Sequence, residues 1–177
     1  MSGHNKWSKV KHKKEAEDKK KSKIFTMHAR LITIESKKCG GDTSSPGLKN
    51  AIIRARVVNM PSGNIDRAVT RGTGAEGGTL EEVVYEAYGP GGTAIIITGI
   101  TDSKNRTLSE IKRICADARG NVATPGSALW AFKKDGDEFL PENIVRLSEE
   151  DTTALRTLVE NLLDNDDVRA VFTNATP

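Results

Sequence analysis

The chain of 177 residues holds only two cysteines, Cys39 and Cys115, far apart and without a C-x-x-C pair. That excludes a disulfide framework and argues against zinc, so both read as reduced thiols of a cytosolic protein. Long hydrophobic runs are missing as well. Stretches such as Ala94–Ile97 fall far short of the roughly 20 residues that a bilayer span needs, so no membrane partner is expected. No apolar segment follows the lysine-rich N-terminus, which excludes a secretory signal. Arginine is absent from the first 23 residues, which carry nine lysines with Glu15, Glu17 and Asp18. A mitochondrial presequence would be rich in arginine and serine and poor in acids. Histidine is scarce too: His4, His12 and His28 all lie in the first third, none beside a Ser or Cys with an acid at helical spacing. Without a nucleophile–base pair or a metal cluster, the chain reads as no enzyme, with no cofactor, no metal and no small-molecule substrate.

Two glycine-rich strings offer no nucleotide cradle either. GTGAEGG (72–78) lacks the G-K-[ST] ending of a phosphate loop, and GPGG (89–92) falls between two predicted strands. They read as a linker and a tight turn.

What the chain does have is an uneven charge. Its net +3 conceals 17 lysines and arginines against 6 acids in residues 1–74, and 10 against 18 in residues 75–177. A split this sharp is the footprint of a polyanion-binding module joined to an acidic one. With 36% hydrophobic and 29% charged residues, the composition suits one or two ordinary globular domains.

Pattern divides the chain into three. Residues 1–23 read as a basic flexible arm, and 24–74 as a helical nucleic-acid-binding domain. Met27, Leu31 and Ile32 recur at helical spacing before Gly40-Gly41. Ser45-Pro46 opens a second helix with Leu48, Ile52 and Ala55 on one face, and a third follows Pro61 with Ile65, Ala68 and Val69. Beyond a linker at 72–80 the period turns extended. Strands are expected at Val83–Tyr88, Thr93–Ile100, Ala128–Phe132, Ile144–Leu147 and Val168–Thr173. A helix capped by Asp102 or Ser103 and one capped by Ser148 fall between them. The fold class is therefore α+β: a basic three-helix domain, then a ferredoxin-like antiparallel sheet (75–177) with two helices on one face.

Candidate binding residues follow the positive charge. On the arm, Lys6, Lys9, Lys11, Lys13 and Lys14, with His12 and Trp7, place cations and one stacking aromatic at a flexible terminus. Lys19, Lys20, Lys21 and Lys23 continue them. Such lysines reach phosphates and release counterions, and an indole stacks on an unpaired base. A solubilising tail is the plainer reading of an arm alone, but Arg30, Arg54, Arg56, Arg67 and Arg71 carry the same sign onto the helices. Arg106 stands at a predicted helix N-terminus, where a cation is disfavoured; it either pairs with Asp102 or faces an anionic ligand. Ala128, Trp130 and Phe132 are expected on one strand face, in the core.

In order along the chain come GHNKW, KIFT, NMPSGNIDRA, GTG, YEAYGPGG, TDSKNRT and GSALWAF. By these strings the sequence resembles the YebC/PmpR family, which includes the mitochondrial translational activator of cytochrome c oxidase. The resemblance implies a helical domain and a ferredoxin-like domain into which a third is inserted. Here the chain passes from Phe132 through the short polar KKDGDE to the strand expected at Ile144, so that insertion is missing near 133–143. Gly47 and Lys49 stand where relatives often carry arginine. The family implies a DNA-binding transcriptional regulator, or a ribosome-associated translation factor that uses the same basic surface; an adaptor acting through the acidic domain is a further alternative. The expected partner is DNA or ribosomal RNA, and the ribosome with it, in the cytoplasm.

Overall fold

A computed structural model describes the backbone of residues 4–74 and 80–176, with side chains from residue 19 onward. The chain forms two units, Met1–Gly78 and Thr79–Pro177.

The first unit contains α1 (His4–Cys39), α2 (Pro46–Val57) and α3 (Ser62–Thr73). The segment expected as a separate arm is the first half of α1. Lysine, alanine and glutamate lose little rotamer freedom in a helix, so nothing in its composition stops the helix at residue 24. α1 ends where Gly41 adopts a φ of 84° and its N–H closes on the Ser36 carbonyl at 2.9 Å. Pro46 opens α2 at its first position, though the Ser45 side chain makes no capping bond.

Ile32, Leu48 and Ala55 are fully buried, packed with Ile52, Met60, Ile65 and Ala68. α2 and α3 contribute the stripes their periodicity predicts, Val69 only partly. On α1, Ile32 joins this core, whereas Met27 is buried outside it, Leu31 is only half-buried and Ile24 stays exposed. α1 and α3 approach closely enough for hydroxyls to bridge them. Thr33 Oγ1 donates to the Ala68 carbonyl at 3.2 Å and Ser36 Oγ to that of Val69 at 2.7 Å. A Cβ on Gly72 would stand 2.6 Å from the Thr33 carbonyl, so only glycine admits this contact.

The second unit is built on a four-stranded antiparallel sheet in the order β3-β1-β2-β7. β1 (Glu81–Tyr88) and β2 (Ala94–Thr101) form a hairpin closed by a 3-10 turn at Pro90–Gly92. α4 (Lys104–Asp117) then carries the chain across β1 to β3 (Asn121–Val122). Later α5 (Glu149–Asp164) returns it to β7 (Val168–Thr173) on the opposite edge, beside β2. β2 is central, so both its faces are covered. Ile95 and Ile97 pack under Ile111 and Cys115 of α4 and Leu155, Leu158 and Leu162 of α5. Ala94 and Ile96 meet Phe132 and Phe139 on the other side. Those two belong to a hairpin of β4 (Phe132–Asp135) and β5 (Glu138–Pro141).

Two sequence expectations are corrected here. Residues 128–132 are not a strand: Leu129–Ala131 is a 3-10 turn and the strand begins at Phe132. The cause lies 42 residues away in the buried carboxylate of Glu86, which accepts from the N–H groups of Gly126, Ala128 and Leu129 at 2.5, 2.6 and 3.0 Å. Those bonds wrap the backbone around one acceptor, which an extended strand cannot do. Trp130 is turned outward, 58% exposed, and its indole N–H donates to the Tyr88 hydroxyl. The strand at Ile144–Leu147 shrinks to β6 (Val145–Arg146). It pairs in parallel with β8 (Ala175–Thr176) instead of joining the main sheet, whose fourth strand is β3.

Candidate nucleic-acid interface

Residues 24–74 carry eight cations and three acids, Glu35, Asp42 and Asp66. Two of those acids are engaged locally. Glu35 pairs with Lys38 at 2.6 Å, and Asp42 accepts from the Ser44 hydroxyl and N–H, which holds its carboxyl below the usual range.

Helical spacing decides which cations share a face. On α2, Lys49, Ile53 and Arg56 recur at i, i+4 and i+7 and are all exposed, while Arg54 lies on a different side. On α3, Arg67 and Arg71 stand one turn apart on the solvent face, and Arg67 donates to the Asn64 side chain. Arg54, Arg56 and Arg71 all sit in last helical turns, where the dipole itself favours a cation. Part of their placement therefore stabilises the helices as well as the positive surface.

Between α2 and α3 runs a groove of about 760 Å³. Lys49, Ile52, Ile53 and Arg56 line one side, and Ile65, Asp66, Val69 and Thr70 the other, with Thr43 and Ser44 at one end. Its floor is aliphatic and its rim polar.

Of the expected binding residues, Lys6, Trp7, Lys9, Lys11, His12, Lys13 and Lys14 have side chains outside the described residues. Lys19, Lys20 and Lys21 are exposed on α1, with the Lys21 ammonium 5.7 Å from the centre of the Phe25 ring; Lys23 and Arg30 are half-buried. Arg106 lies in the second unit and is engaged internally. Its Nη2 meets Asp102 Oδ1 at 2.8 Å, the expected pair, and Asp167 Oδ2 at 2.7 Å, a partner that sequence reasoning missed. Both carboxylates hold the guanidinium firmly charged. The groove was missed too, although the spacing of Lys49, Ile53 and Arg56 was a readable signal for it. Among the described residues no group of His, Cys, Asp or Glu could hold a metal ion, and no helix is long and apolar enough to cross a membrane.

Residues 5–75 match the family described as TACO1/YebC protein N-terminal domain, and residues 80–137 the TACO1/YebC second and third domain. A probable transcriptional regulatory protein of Desulforapulum autotrophicum is 48% identical over 138 residues, covering 77% of this chain and 56% of that protein. The chain thus spans little more than half the length of that relative. Probable transcriptional regulatory proteins of Petrotoga mobilis and Thermotoga petrophila are 41% and 42% identical, covering 98% of this chain and 70% of theirs. A crystal structure of the conserved hypothetical protein Aq1575 from Aquifex aeolicus has the same fold, with a TM-score of 0.81 at 24% identity, covering 88% of this chain and 90% of that one.

Proposed function

This chain belongs to the TACO1/YebC family, and from that premise we propose that it regulates gene expression by binding nucleic acid through its basic helical unit. The observation that carries the reading is the exposed set Lys49, Arg54, Arg56, Arg67 and Arg71 on two short helices that hold a single acid, Asp66. Relatives named as transcriptional regulators make DNA the first ligand to test. Lysines and exposed arginines without an array of Asn and Gln on one helix face favour phosphate contacts over base-edge reading, so binding to a duplex is sequence-tolerant. A second reading, an RNA-associated translation factor, is favoured by the aliphatic floor of the groove, which a paired duplex cannot use.

Titration of the whole chain against labelled duplex DNA and single-stranded RNA tests both. Replacing Arg54, Arg67 and Arg71 together with glutamate lowers affinity more than about tenfold. The same reversal at Lys133 and Lys134 of the acidic unit leaves affinity unchanged. Absence of binding by the unaltered protein, or equal loss in both variants, defeats the proposal. Crosslinking in cells then separates promoter DNA from ribosomal RNA.

A further inference from the structure

We infer that the groove between α2 and α3 seats one unpaired base of a single-stranded nucleic acid, with Lys49 and Arg56 on the flanking phosphates. This rests on the nucleic-acid reading above and names the part of the ligand that this site takes.

Three features of the groove point to a nucleotide. Its volume of about 760 Å³ lies in the range of small-ligand sites and is ample for a base with its sugar. Its floor combines the buried Ile52 and Ile65 with Ile53, which is left 46% exposed. An aliphatic surface of that kind covers the face of a base and gains from removing both from water. At the mouth, Lys49 and Arg56 stand seven residues apart on one face of α2, about 10 Å along the axis, so both cations reach the backbone on either side of an inserted base.

The remaining rim group supplies a preference. Asp66 lines the groove with Thr70, Thr43 and Ser44. A carboxylate there repels phosphate but accepts a hydrogen bond from an exocyclic amine. Adenine and cytosine carry one; thymine presents a carbonyl oxygen at the matching position, as uracil does. Uracil offers a carboxylate only its ring N3–H, so Asp66 favours the amino bases over it. In a duplex that amine is paired and the ring faces are stacked, so double-stranded ligands touch only the two rim cations.

The test uses the whole chain and short fluorescein-labelled strands of oligo(A), oligo(C) and oligo(U), with a duplex of equal length, followed by anisotropy across a salt series. Ile53→Ala is expected to weaken oligo(A) and oligo(C) about five- to tenfold without altering the salt slope, and to leave the duplex unchanged. Lys49→Ala is expected to weaken all ligands and reduce the slope by roughly 0.7 to 0.9. Asp66→Asn is expected to erase the preference for oligo(A) and oligo(C) over oligo(U). Ile53 is half exposed, so its variant melts close to the parent, and a melting curve records that. Binding that is indifferent to Ile53, or a loss shared equally by duplex and single strand, overturns the groove assignment while leaving nucleic-acid binding intact. Failure of the parent to bind any strand overturns the functional reading instead.

Discussion

Arg106, in the first turn of α4, and Asp167, one residue before β7, are joined by a 2.7 Å bond between residues 61 positions apart. Asp167 is buried and also accepts from the hydroxyls of Thr107 at 2.6 Å and Thr101 at 3.1 Å. One carboxylate thereby ties the end of β2, the start of α4 and the start of β7.

Asp167→Ala should cost about 2 to 4 kcal/mol, because two buried hydroxyls and a cation lose their acceptor together. Arg106→Ala should cost less, since its guanidinium is half exposed and solvent replaces the bond. Because that cation is already engaged, Arg106→Ala should leave nucleic-acid affinity unchanged. Thermal melting and anisotropy on the same preparations check both statements, and a marked loss of affinity in the arginine variant would place Arg106 in the binding surface.

Arg67 and Arg71 share the solvent face of α3. Replacing both with alanine should lower the log–log salt slope of binding by roughly 1.4 to 1.8, about 0.7 to 0.9 for each lost phosphate contact. The proportional loss should be the same for unrelated sequences. A sequence-dependent loss in the salt titration would show that one of them reads a base edge.

Trp130→Ala should destabilise the second unit by no more than about 1.5 kcal/mol, whereas a core tryptophan would cost about 3 to 5. The indole is exposed and loses one bond to Tyr88. Glu86→Ala should be far worse, removing the acceptor of three backbone N–H groups at a buried site. Denaturant unfolding of the pair reads the order directly, and a reversed order would restore Trp130 to the core.

Burial pushes the Cys115 thiol from its ordinary 9.0 up to about 11. The unfolded thiol therefore loses its proton first as pH rises. This contribution to stability is intact below pH 9 and declines as pH rises from 9 towards about 11. The slope approaches about 1.4 kcal/mol per pH unit. Cys115→Ala should have a lower baseline and lack that decline. Urea unfolding of both proteins from neutral to alkaline pH checks it; parallel curves would mean the thiol ionises alike folded and unfolded.

Local chemistry made most of the fold readable. Glycines at positive φ, Pro46 at the head of α2, and stripes such as Leu48, Ile52 and Ala55 act within a turn or two of themselves. So does the alternation of Ile95 and Ile97 against Ala94 and Ile96, which puts two covered faces on one strand. What escaped was set by distant partners. Residues 128–132 have strand composition, but Glu86 overrides it, and no spacing near Trp130 announces a carboxylate 42 residues earlier. Asp167 looks like an ordinary turn acid until β7 brings it under Arg106. The positive face was legible because charge is countable. The groove was less so, because it needs two helices placed side by side.

β2 takes one neighbour from the adjoining hairpin and the other from residues 168–173, so Ile95 pairs with Thr173. During synthesis, then, the most apolar strand of the molecule waits with an unpaired edge while some seventy further residues are made. Its first unit, by contrast, closes through contacts that never reach past Gly78. Loop closure of that length is slow relative to local helix docking, and an open Ala-Ile-Ile-Ile edge is a template for pairing with another nascent chain. Shortened products that stop before Val168 are therefore expected to aggregate through the second unit while the helical unit remains folded and soluble.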